Sequence, residues 1–168
     1  LGGTAIGTGI NTPDGYSEAA INHLASISGE RVMAAGDLIE ATSDMGAFIT
    51  FSGVLKRIAV KLSKICNDLR LLNSGPRAGF GEIRLPAVQA GSSIMPGKVN
   101  PVLCEAVNQV AARVLGNDVT VGYAASQGIL ELNTYLPVMA DGVLESASLL
   151  GNAATVFADR CVAGIEVD

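Results

Sequence analysis

FITFSGVLKRIAVKLSKICNDLRLL, residues 48–72, decides the fold. Phe48, Phe51, Leu55, Ile58, Leu62, Ile65, Leu69 and Leu72 recur at alternating spacings of three and four, which keeps apolar side chains on one stripe of an α-helix. Over about three and a half heptads this is a coiled-coil-like seam. Asp37 stands where it can cap such a helix, so the pattern predicts one helix over residues 38–72, about 50 Å long at the α-helical rise. That length exceeds what the rest of a 168-residue chain can cover.

Outward from the seam, punctuation sets the other elements. Upstream, Asn11-Thr12-Pro13-Asp14-Gly15 is turn chemistry, followed by a short helix over residues 17–28 with Ser17 as N-cap and Gly29 as stop. Downstream, glycines and prolines from Gly75 and Pro76 to Pro96 and Gly97 make residues 73–99 a loop region. A helix then runs from about Pro101 to Gly116 and into the 120s, residues 122–133 read ambiguously, and a last helix covers about 136–163. No alternation is long enough to predict a strand. The expected class is all-α, a bundle of long antiparallel helices.

Composition narrows the function classes. The chain is 49% apolar but 4% aromatic, and only 16% charged, well under the typical quarter. Such a surface expects cover from other subunits or from more chain. No apolar run is long enough for a membrane span, and a net charge of -5 without a basic block argues against nucleic acid as partner. Cys66, Cys104 and Cys161 are far apart among helical apolar residues, which reads as reduced core thiols in a cytoplasmic protein, not a metal site.

Chemistry concentrates in Gly91-Ser92-Ser93-Ile94-Met95-Pro96-Gly97-Lys98-Val99-Asn100-Pro101. Two hydroxyls, a cation and an amide lie between glycine pivots just before a helix start, where unpaired amides favour anions. A serine there can act as base only if its alkoxide is stabilised, because its free pKa lies far above neutral. The plainer reading is a surface loop whose serines satisfy turn amides. His23, the one histidine, falls in the short helix and reads as a partly exposed helix residue. The glycines of Leu1–Asn11 have the wrong spacing for a dinucleotide fingerprint, and no strand precedes them.

The loop is identical to the fumarase and aspartase form of the signature of the fumarase/aspartase superfamily, one residue shorter than the general Gly-Ser-Ser-x-x-Met-Pro-x-Lys-x-Asn. Leu1–Asn11, Asn73-Ser74-Gly75-Pro76-Arg77 and Gly81-Glu82-Ile83-Arg84-Leu85-Pro86 are also similar to that branch. The resemblance implies lyase chemistry on a small dicarboxylate. It implies Ser92 as the general base that takes the Cβ proton, Ser93 in substrate binding, and Lys98 and Asn100 on substrate carboxylate and the aci-carboxylate intermediate. Glu105 falls where the family places a supporting glutamate, and it also suits a first helical turn without any such role.

Leu38–Ala47 and Leu55–Lys61 resemble the aspartase branch, which eliminates ammonia from L-aspartate to give fumarate. The fumarase branch, acting on malate, is the alternative within the family. No organic cofactor is implied; magnesium activates some members, but no carboxylate cluster in this sequence marks a metal site. The family is homotetrameric, with an active site built from three subunits. By that comparison residues 1–168 are part of the central helical domain with loop 91–101, lacking an N-terminal part and a small C-terminal domain. The chain alone is therefore expected to be inactive. From a different class comes a non-catalytic helical oligomerisation module, for which the seam and low charge are enough and the loop is not needed.

Overall fold

The computed structural model describes residues 1–75 and 77–167, so Pro76 of the loop punctuation lies outside the described residues. The expected all-α class holds: α1 Tyr16–Ser28, α2 Glu40–Ser43, α3 Gly46–Leu72, α4 Val102–Ala125 and α5 Leu136–Arg160 carry the fold. A 3₁₀ turn, Val162–Gly164, follows α5. The only strands among the described residues are β1 Ile83–Arg84 and β2 Glu166–Val167, paired antiparallel with Ile83 opposite Val167 and Arg84 opposite Glu166. Two-residue strands carry no readable alternation, which is why the sequence did not predict them.

The chain divides into two compact units, Leu1–Thr50 with Thr120–Ala140, and Phe51–Val119 with the chain from Asp141 on. In the first, the long helix expected from residue 38 is broken. Asp37 does cap, its Oδ1 accepting from the Ile39 and Glu40 amides at 2.8 and 3.1 Å, but only the single turn α2. Asp44 then turns extended (φ -74, ψ 127), and its carboxylate accepts from Gly46 N–H at 3.1 Å to start α3 afresh. The start of α1 also differs from expectation: Gly15 in the left-handed region precedes it, and Ser17 lies inside the first turn. Gly29 stops α1 as expected, its N–H reaching Ala25 O at 2.9 Å. Gly7 (φ 85) admits the backbone of residues 38–39, since a Cβ there would lie 2.3 Å from Leu38 O. Met139 and Val121 are fully buried.

In the second unit α3, α4 and α5 run antiparallel. Asn67 pairs with Asn108 and Ser52 with Asp118 along α3 and α4, while Cys104 meets Cys161 and Asn117 meets Ser146 along α4 and α5. Rising numbers on one helix meet falling numbers on the next. The core cluster is Cys66, Cys104, Val107, Phe157 and Cys161, with Leu62 and Leu69 against it. The seam is therefore corrected in detail. The buried residues of α3 are Ser52, Leu55, Ala59 and Cys66, of which only Leu55 belongs to the seam, whereas the seam's Phe51, Ile58 and Ile65 are 50%, 44% and 41% exposed. The stripe has two edges, and this chain covers one.

Polar bridges fix register between these helices. Asp118 accepts from Ser52 Oγ at 2.8 Å and pairs with Lys56 Nζ at 2.6 Å. Burial pushes its carboxyl up, but the Lys56 and Ser52 hydrogen bonds outweigh that and hold it below the ordinary value. Hydrogen bonds from Asn117 and Arg113 likewise hold Glu145 low.

Candidate active-site loop

The loop ahead of α4 closes on itself. Gly91 N–H donates to Lys98 O at 2.7 Å and Lys98 N–H to Met95 O at 3.3 Å, with Gly97 at φ 76 making the turn between. Gly91 is required by close approach, since a Cβ there would lie 2.9 Å from Lys98 O. The chain then enters α4, Glu105 N–H reaching Pro101 O at 3.2 Å.

Within the loop, Ser92 Oγ accepts from both Ile94 N–H and Met95 N–H at 3.1 Å. Two amide dipoles aimed at one hydroxyl oxygen favour negative charge on it, the condition a serine base needs. Ser92 is half-buried, whereas Ser93 and Lys98 are exposed, and Asn100 is half-buried. The structure thus places Ser92 and Lys98 at opposite ends of one closed loop. Glu105 pairs at 3.7 Å with Arg70 of α3, a partner the sequence reading did not name. His23 is exposed on α1.

Lys98 also borders a cavity of about 570 Å³ together with Asn73, Ser74, Ile83 and Arg84. Asn73 holds this wall in place, its Oδ1 accepting from Leu85 N–H at 2.9 Å. These residues lay in segments whose resemblance was noted but to which no role was given. The available signal was the cation of Arg84 between short apolar residues.

The three cysteines are free and buried. Cys104 and Cys161 approach to 4.0 Å. Among the described residues no group of three His, Cys, Asp or Glu side chains is placed to hold a metal ion. Also among them, no helix is long and apolar enough to cross a membrane.

Comparison with known proteins adds to this geometry. A family model described as Lyase matches residues 1–116. The chain is 61% identical over 165 residues to aspartate ammonia-lyase of Pseudomonas aeruginosa, covering 98% of this chain and 35% of the relative. It is 58% identical over 165 residues to that of Escherichia coli K12, covering 98% and 34%. Among solved structures, cobalt-bound fumarate lyase:delta crystallin from Brucella melitensis superposes with a TM-score of 0.95 at 62% identity, over 100% of this chain and 36% of that one. A class II fumarase from Schistosoma mansoni superposes with a TM-score of 0.89 at 37% identity, over 100% and 38%. The chain thus spans about a third of the length of the relatives it matches.

Proposed function

The chain belongs to the lyase family, within the fumarase/aspartase superfamily, and on that footing we propose that it carries the base and part of the substrate-binding groups of an aspartate ammonia-lyase. L-Aspartate is held by its carboxylates, with Lys98 and Asn100 among the ligands and Ser93 assisting. Ser92 takes the Cβ proton. The electron pair moves onto the adjacent carboxylate as an enediolate, which Lys98 and the loop amides stabilise. The C–N bond then breaks, releasing ammonia and leaving fumarate. Glu105 supports the site from α4. The elimination as written calls for no organic cofactor.

The observation that carries this reading is the pair of amide donors on Ser92 Oγ. An ordinary serine turn makes the same two bonds, so what weighs against the oligomerisation module is the loop's composition, two serines, a lysine and an asparagine around paired glycines, for which a spacer has no need. The choice of ammonia over water as leaving group rests on the higher identity to the ammonia-lyases than to the fumarase. Assembly into a homotetramer is part of the proposal, supported by the exposed apolar edge at Phe51, Ile58 and Ile65. A cytoplasmic setting is supported by three free thiols. By itself the chain is inactive in this reading, because a base without the remaining substrate clamps loses positioning and charge stabilisation together.

The test is fumarate formation by a full-length protein carrying this chain, offered L-aspartate and L-malate in parallel. Turnover of aspartate alone is expected. Turnover of malate alone moves the function to the fumarases, and turnover of neither overturns the lyase reading.

A further inference from the structure

Glu105 stands in the first turn of α4, just past loop 91–101, and Arg70 in the last turn of α3. Each charge suits its own helix, since an N-terminus favours an anion and a C-terminus a cation. The two ends meet because α3 and α4 run antiparallel, which brings Arg70 Nη2 to 3.7 Å from Glu105 Oε1. Both backbones are pinned from within: Leu69 packs against the core cluster, and Cys104, next to Glu105, is fully buried. Pairing therefore costs only the ordering of two side chains. At 3.7 Å the contact is longer than a hydrogen bond, so Arg70 attracts the carboxylate without filling its acceptor positions. Among the described residues no other cation pairs with Glu105. Arg70 also borders a hollow of about 480 Å³ together with Val99 and Pro101, the residues by which the loop leaves for α4. It does not line the cavity that Lys98 borders.

We propose that Arg70 is a positioning residue of the elimination, acting through Glu105 and not on substrate: its charge fixes where the Glu105 carboxylate stands beside the loop's exit. The role rests on the supporting part proposed above for Glu105 and adds the residue that places it. A half-exposed pair of this kind contributes little to folding, so its removal shows in turnover before it shows in stability.

The experiment uses a full-length protein carrying this chain and whichever substrate the parent accepts, L-aspartate or L-malate. Steady-state kinetics are measured for the parent, Arg70→Gln, Arg70→Lys, Glu105→Gln and the Arg70→Gln/Glu105→Gln double variant. Arg70→Gln should lower kcat about tenfold with KM changed less than about twofold, as expected for misplacing a group without removing a substrate contact. Arg70→Lys keeps the charge and should recover part of that loss. In the Glu105→Gln background, Arg70→Gln should have no further effect, because a residue that acts through a second one is silent once its target charge is gone. A merely structural role would not produce that silence. Arg57→Gln, an exposed cation elsewhere on α3, should match the parent. Parental kcat in Arg70→Gln or in Glu105→Gln, losses that multiply fully in the double variant, or a loss carried by KM alone overturns the role. An active parent with an unchanged Arg70→Gln sinks this role alone, whereas a parent that turns over neither substrate sinks the lyase reading and this role with it.

Discussion

Gly91 N–H and Lys98 O meet at 2.7 Å and close the loop ahead of α4 at its base. A side chain at residue 91 would strike that carbonyl, since the nearest approach of a Cβ is 2.9 Å to Lys98 O. Gly91→Ala should therefore displace Lys98 without touching the helices. We expect turnover of aspartate by a full-length protein to fall at least about tenfold through misplacement, with a stability loss of about 1 kcal/mol or less for an exposed loop. Kinetics and thermal melting of the same variant decide. A large drop in Tm with unchanged turnover would make Gly91 a folding residue only.

Ser92→Ala removes both the proposed base and the acceptor of two amides. Turnover should drop about 10²–10⁴-fold, the usual contribution of a positioned base. The melting temperature should barely move, because the loop is outside the core cluster. Retention of most activity would take the proton-abstraction role from Ser92.

Much of this was legible in the sequence, and the misses have physical reasons. The 3–4 spacing from Phe48 to Leu72 gave the helix because apolar periodicity reports directly on burial. It did not reveal that only the Leu55 edge is covered, since periodicity does not say which neighbour is present. The break at Asp44 escaped because a carboxylate that caps a new helix reads like any polar residue between helical segments. In the loop, residue chemistry made Ser92 and Lys98 candidates, and their roles came from the family resemblance. Arg70 as the partner of Glu105, and Arg84 on the cavity, were not, because both depend on chain segments brought together only by the fold.

Asp118 makes stability depend on acid. Its carboxyl is held below the ordinary value in the fold, so the unfolded chain binds the proton more readily. The stabilisation is therefore fully present above the unfolded value and is lost as pH falls through the folded one. Asp118→Asn should cost about 1 kcal/mol near neutrality, a modest figure because Lys56 is half-exposed. In strong acid the variant and the parent chain should converge. Denaturant midpoints across pH test this; a constant gap at every pH would contradict the charge assignment.

The thiols should be silent in the folded state. Burial, followed by the neighbouring Cys104, pushes the Cys161 thiol up to about 12. Its hydrogen bond with Cys66, followed by burial, raises Cys104 further. Cys66 is instead held below its ordinary value, first by its hydrogen bond with Cys104, so its protection is burial alone. At exposures of 0–2%, all three should react with a disulfide reagent orders of magnitude more slowly than free cysteine. Adding denaturant should release three equivalents at once. A thiol titrating rapidly in the native chain would show that the core around Cys66 opens locally.

Asn133 joins the end of α4 to the start of α5 with one side chain. Its Nδ2 donates to Ala124 O at 3.0 Å and Ala125 O at 3.2 Å, and its Oδ1 accepts from Tyr135 N–H at 2.8 Å. At 4% exposure, water cannot replace these bonds. Asn133→Ala should cost about 2–3 kcal/mol, the sum of a lost cap and orphaned carbonyls. Asn133→Asp keeps the acceptor for Tyr135 but turns a carboxylate toward the C-terminal carbonyls of α4, where negative charge is unfavourable. It should therefore be no more stable than the alanine variant near neutrality, and should recover when acid protonates it. Melting curves at two pH values separate these cases, and an aspartate variant as stable as the parent at neutral pH would mean that the donor bonds carry little of the connection.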